Sequence, residues 1–319
     1  MSVHHLRYRA DIDGLRAIAV LPVVLFHFGF STFAGGFVGV DVFFVISGFL
    51  ITSLIVVEID ESRFSIVRFY ERRIRRIFPA LFLVIIVTSI ASAIILLPND
   101  LKRYAKSVVA ADWFFSNFEF WREAGYFDVD AHQKPLLHTW SLAVEEQFYL
   151  IFPPFLLLAA RYLRRRYLLI IMPIFVLSLT FSIWAVYAKP SLAFYLTPSR
   201  MWEIMLGAWL ALIPWEAGKR FIPPSGYGLL TLLGIGMIAY GVFTFSANTP
   251  FPGAMALLPC GGAALVIFGG QNHPSMVSRL LATGPLVFVG KISYSLYLWH
   301  WPLIVLAAYP FAGETPLSE

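Results

Sequence analysis

Apolar runs long enough to cross a lipid bilayer recur along almost the whole chain, and they restrict its fold more than any other feature. A helix rising 1.5 Å per residue needs about 20 mostly apolar residues to cross the hydrocarbon core. Such runs are read at roughly 14–30, 37–57, 79–97, 143–160, 167–188, 199–214, 227–245, 253–269 and 290–309. Breaks such as Leu97-Pro98-Asn99-Asp100 and Phe221-Ile222-Pro223-Pro224-Ser225-Gly226 separate them. The chain is 59% hydrophobic and 13% charged, with a mean hydropathy of +0.74, which excludes an ordinary soluble domain. The expected fold class is all-α, a polytopic transmembrane helical bundle of about nine spans. No internal repeat is visible, which argues against an inverted-repeat transporter. The single cysteine, Cys260, lies in an apolar stretch and is not expected to serve as a nucleophile. The first run has a short basic segment before it and no small-x-small cleavage site, so it reads as an uncleaved first helix.

Basic residues set the orientation. With the N-terminus in the cytoplasm, Arg7, Arg9, Arg16, the cluster from Arg63 to Arg76, Arg161, Arg164, Arg165, Arg166, Lys219, Arg220, Arg279 and Lys291 all fall inside. These are most of the 24 lysines and arginines, so the positive-inside rule favours N-in. The formal charge of +5 reflects this bias, and nucleic acid is not an expected partner. The outer stretch from about 98 to 142 is rich in aromatics (Trp113, Phe114, Phe115, Phe118, Phe120, Trp121, Tyr126, Phe127). Its part from Tyr104 to Trp121 reads as one helix lying at the outer interface, a wall for an outward-facing site.

Ionisable residues inside a span are costly and point to function. Arg16 and His27 share the first run, eleven residues apart. On a helix they share a face about 16 Å apart along the axis. Alone, Arg16 is equally read as snorkelling to the inner headgroups, and His27 as a packing residue. The segment Arg63–Phe78 carries six arginines among apolar residues at helical spacing. It reads either as an amphipathic inner-face helix on anionic lipid or as a phosphate clamp, because guanidinium forks bind phosphate bidentately. Asp41 opens the second span, His138 and Glu145 the fourth, and Arg200 and Glu203 the sixth. Under this topology they join His27 in one outer-half cluster offering a base, carboxylates to orient it and a cation for an oxyanion. The bland reading of each is a local salt bridge or helix cap. No HExxH, CxxC or Walker pattern is present, so neither a metal site nor a nucleotide-binding loop is expected.

The motifs taken in order resemble a known family. Tyr8-Arg9-Ala10-Asp11-Ile12-Asp13-Gly14-Leu15-Arg16-Ala17 with His27, and Gly36-Phe37-Val38-Gly39-Val40-Asp41-Val42-Phe43-Phe44-Val45-Ile46-Ser47-Gly48-Phe49, look like the start of the membrane-bound acyltransferase-3 family. Tyr70-Glu71-Arg72-Arg73-Ile74-Arg75-Arg76-Ile77-Phe78-Pro79 looks like its basic motif. His138-Thr139-Trp140-Ser141-Leu142-Ala143-Val144-Glu145 and Ser293-Tyr294-Ser295-Leu296-Tyr297-Leu298-Trp299-His300-Trp301-Pro302 match later ones. The resemblance covers essentially residues 1–319 and is nearest the bacterial branch that O-acetylates lipopolysaccharide O-antigen and related glycans. It implies a multi-pass protein of the bacterial inner membrane that transfers acetyl from cytoplasmic acetyl-CoA (acyl-CoA) to an extracytoplasmic glycan hydroxyl, with Arg16 and His27 essential. Members of that branch carry further spans and an SGNH esterase-like domain, so the chain, ending at Glu319, reads as a truncated form.

On that resemblance, Arg16, Arg72, Arg73 and Arg76 are expected to hold the CoA phosphates, and His27 to act as general base or as an acyl-carrying nucleophile. Glu145 or Asp41 orients His27. Arg200 stabilises the oxyanion, and Glu203 and His138 belong to the same acceptor-side group. His300 is either a second polar wall of the tunnel or a core histidine. The competing class is a polytopic transporter of a glycan or lipid-linked sugar, which explains the outer aromatics equally well but has no need of acyl-CoA. A membrane sensor or scaffold is a third reading.

Overall fold

The computed structural model describes residues 8–124, 133–214, 222–272 and 275–311. Arg7, Tyr126, Phe127, Lys219 and Arg220 of the sequence reading lie outside them. The described chain is helical with no strand: α1 Ala10–His27, α2 Gly39–Asp60, α3 Ile66–Ile95, α4 Pro98–Asp112, α5 Ser116–Glu123, α6 Thr139–Tyr162 and α7 Leu168–Ala188 come first. They are followed by α8 Pro190–Tyr195, α9 Thr197–Ala211, α10 Pro224–Thr244, α11 Leu257–Asn272, α12 Met276–Leu281 and α13 Gly284–Ala308. Among the described residues, five stretches are long and apolar enough to cross a membrane: Gly36–Asp60, which contains α2, together with α3, α6, α7 and α10. Helices α9 and α11 are shorter, and α1 carries Asp11, Asp13 and Arg16 within its 18 residues.

Two expectations about helices need correction. The basic segment and the third span are one 30-residue helix, α3, running through Pro79. Proline removes one helical hydrogen bond, but a helix in an apolar surround has no competing partner for its backbone and continues. Ser65 caps its start, accepting from the Arg68 N–H. The interfacial stretch from Tyr104 to Trp121 is two helices, α4 and α5, broken where Phe114 takes φ 54°. Helix α5 packs under α6, where Gln147 Nε2 donates to the Phe114 carbonyl at 2.8 Å and to Asn117 Oδ1 at 2.9 Å.

Close approach at small residues holds the bundle together, as expected where water supplies no hydrophobic drive between helices. Gly48 of α2 and Gly207 of α9 each sit on the other helix's backbone, against Ile204 and Val45. Gly290 of α13 sits on Asp13, and ten residues further along α13 His300 reaches His27 at the end of α1, so these helices run parallel. Gly36 and Gly39 pack on the carbonyls of Pro22 and Ala19. The chain after α1 thus folds back beside it, and α2 starts well below His27.

Candidate active site

The polar residues expected in one outer cluster divide into three groups. The first lines a cavity of about 110 Å³ among α1, α2, α3, α6 and α13. Arg16, Arg73 and Arg76 face Glu145 and Glu146 there, and at formal charges the guanidiniums outnumber the carboxylates by one. Ser47 Oγ donates to Glu145 Oε1, and the Arg73 guanidinium lies 4.8 Å from the Tyr149 ring centre. Arg16 keeps Asp13 at 3.8 Å and turns into the cavity, where apolar Phe43, Phe44 and Leu50 complete the wall. Arg73 and Arg76, three residues apart on α3, share one face. Arg72 does not line the cavity. It donates to both Glu58 carboxylate oxygens, at 2.8 and 3.0 Å, on the exposed surface.

The second group lies where α1, α6 and α13 meet. His27 Nδ1 is 3.0 Å from His300 Nε2, and the two rings meet edge to edge through this contact, their planes 26° apart and their centres 5.1 Å apart. Trp301 meets the His27 ring edge-on at 4.6 Å, and the His138 ring centre is 5.9 Å from that of His300. His138 is buried, and neither of its ring nitrogens completes a hydrogen bond among the described residues. Between the cavity and the histidines stands Tyr297, whose hydroxyl donates to the His138 carbonyl at 3.0 Å and shares a 2.7 Å hydrogen bond with Ser141. Tyr297 lines the cavity and packs on the His300 ring at 5.3 Å, so it belongs to both groups.

The third group is a buried ion cluster joining α2, α9 and α11. Arg200 Nη1 donates to Asp41 Oδ1 at 2.8 Å and to Glu203 Oε1 at 3.0 Å, and its Nε donates to the Phe194 carbonyl at 3.0 Å. The rings of Trp140, Phe194 and Phe251 surround the guanidinium at 5.2–5.4 Å. Asp41, Arg200 and Glu203 are each about 1% exposed or less. Cys260 packs against them with Sγ 3.9 Å from the Asp41 carbonyl. Arg200 supplies the cation to these carboxylates, and the arrangement cross-links the bundle.

Placement therefore departs from the single-cluster expectation in a definite way. Asp41, Arg200 and Glu203 are gathered, but into a cross-link of their own rather than beside His27. Glu145 sits two turns below His138 on α6, facing the arginines. His138 and His300 do meet His27. Ser47, Ser141, Tyr149, Tyr294 and Tyr297 carried no role in the sequence reading. Their signal was spacing: Ser141 follows His138 by three, and Tyr297 precedes His300 by three, the helical interval that puts side chains on one face.

A family model described as "Acyltransferase domain" matches residues 9–317. The chain belongs to this acyltransferase family. It is similar to "Peptidoglycan O-acetyltransferase OatA" of Listeria monocytogenes, 34% identical over 312 residues covering 94% of this chain and 50% of the relative. It is also similar to "O-acetyltransferase OatA" of Staphylococcus aureus, 35% identical over 325 residues covering 98% of this chain and 53% of the relative. The chain thus spans about half the length of these relatives. No solved structure matches it significantly.

Proposed function

We propose that the chain is an integral membrane O-acyltransferase, moving an acetyl group from cytoplasmic acetyl-CoA to a glycan hydroxyl on the far side of a bacterial inner membrane. The observation that carries this reading is the juxtaposition along α1. A cavity faced by Arg16, Arg73 and Arg76 adjoins, across Tyr297, the pair His27–His300. Guanidiniums in a partly desolvated cavity suit the phosphates of a CoA thioester. Arg76 is exposed and marks the edge at which a charged donor would enter. The proposed topology has the N-terminus and the α3 arginines inside, with about nine spans.

The chemistry needs one nitrogen base. The acceptor hydroxyl gives its proton to His27 while its oxygen bonds to the thioester carbon. The carbon–sulfur bond then breaks, and the proton passes to the departing CoA thiolate. If His27 attacks first, a carbon–nitrogen bond forms as the carbon–sulfur bond breaks, giving an acyl-imidazole and the CoA thiolate; the acceptor oxygen then bonds to the acyl carbon as the carbon–nitrogen bond breaks, and the hydroxyl proton passes to the thiolate. Arg16 on the donor side and His27 on the acceptor side lie about 16 Å apart along α1, a span of the order a pantetheine arm bridges.

The name of the Listeria relative gives peptidoglycan as an acceptor, and the motif pattern suggested lipopolysaccharide O-antigen. Protein in nanodiscs, given labelled acetyl-CoA and either glycan, is expected to place alkali-labile label on one of them. Saturable transport of a lipid-linked glycan with no acetyl transfer would replace this reading with the transporter.

A further inference from the structure

His300 has no part in the transfer chemistry above, yet its two hydrogen bonds determine which nitrogen of His27 reacts. His300 Nδ1 lies 2.6 Å from the Tyr297 carbonyl oxygen. A carbonyl oxygen only accepts, so Nδ1 carries the proton. In a neutral imidazole the other nitrogen then holds a lone pair, and His300 Nε2 is an acceptor. That nitrogen is 3.0 Å from His27 Nδ1, which must be the donor. The lone pair of neutral His27 is thereby assigned to Nε2. We infer that His300 is the positioning residue of the site: it holds His27 as the Nδ1–H tautomer, so that Nε2 takes the acceptor's proton or the acyl group.

The surroundings of His300 are those of a fixed acceptor. It is 4% exposed, three residues beyond Tyr297 on the same helix, so its own donor bond stays within one turn of α13. The His27 and His300 ring planes are only 26° apart, as an in-plane N–H···N bond requires, and the edge-on Trp301 ring packs against His27 to hold it there. Trp301 is itself anchored, its Nε1 donating to the Lys134 carbonyl at 2.9 Å. The logic is that of a metal-ligating or triad histidine, whose reactive nitrogen is chosen by the hydrogen bond the other makes. It applies equally to His27 as base or as nucleophile.

The tautomer follows from this geometry with a neutral imidazole at buried His300, and its catalytic consequence rests on the proposed acyl transfer, so two measurements separate them. The first is ¹⁵N NMR of histidine-labelled protein in nanodiscs, with His27 assigned from its alanine variant. The expected result is a protonated Nδ1 and an unprotonated Nε2 at His27, giving way to a mixture in His300→Leu. An Nε2–H tautomer in the wild type overturns the inference and leaves acyl transfer untouched. The second is steady-state transfer. His300→Leu should lower kcat about 100-fold with donor KM within about threefold, the scale of losing an orienting partner. His300→Gln, whose Oε1 can accept in place of Nε2, should recover most of the loss. A glutamine variant as impaired as the leucine one overturns the positioning role. A wild type that shows the expected tautomer but transfers nothing upholds the orientation and refutes the acyl-transfer reading instead.

Discussion

Replacing Arg73 and Arg76 together by glutamine should cost most of the affinity for coenzyme A, whereas replacing Arg72 should cost almost none. The difference follows from the direction of the three side chains. Arg73 and Arg76 line the cavity with Arg16, while Arg72 is held by Glu58 outside it. A hydrogen bond to a charged group contributes about 1.5–3 kcal/mol, or roughly 10- to 150-fold in Kd. Two guanidiniums on one anion are coupled, so the double variant is expected to lose about 4 kcal/mol rather than the full sum, near 1,000-fold. Arg72→Gln removes an exposed ion pair, contributing roughly 0–1 kcal/mol to stability, and should leave Kd within about threefold. Titration of coenzyme A into protein in nanodiscs at fixed ionic strength measures all three. Equal losses for Arg72→Gln and the double variant would refute the assignment and return the arginines to lipid anchorage.

Arg200→Met leaves Asp41 and Glu203 buried without their cation and should destabilise the protein by about 3–5 kcal/mol. Thermal unfolding in detergent should show this, and Asp41→Asn/Arg200→Met/Glu203→Gln should recover most of it. A triple variant no better than the single one would contradict the cross-link. Gly207→Leu places a side chain where the Val45 carbonyl oxygen already sits, and should cost at least 1–3 kcal/mol by forcing α2 from α9. An unchanged unfolding temperature would show that the two helices do not need this approach.

Residue types and helical spacing made part of the site legible. Arg16 and His27 do share one helix, and both turn toward α13, as an eleven-residue interval requires. Depth was not legible. Membership of a span says which leaflet a residue is nearer, not at which turn it stops. Asp41 follows a loop that folds back along α1 because Gly36 and Gly39 allow contact with Pro22 and Ala19, which carries it below the histidines. Glu145 is seven residues beyond His138, about 10 Å along α6, enough to exchange one set of partners for another. The continuity of α3 through Pro79 was hidden for a different reason: proline ends helices in water, and the rule weakens in an apolar surround.

In the proposed mechanism His27 does chemistry at the end of a donor site it does not itself build. Thiol release from acetyl-CoA in the presence of glycan, wild type against His27→Ala, tests it most directly when coenzyme A binding is measured on the same samples. The alanine variant is expected to lose release by at least about 100-fold, the scale of a general base, while Kd stays within about threefold. Release at the wild-type rate from His27→Ala would contradict it.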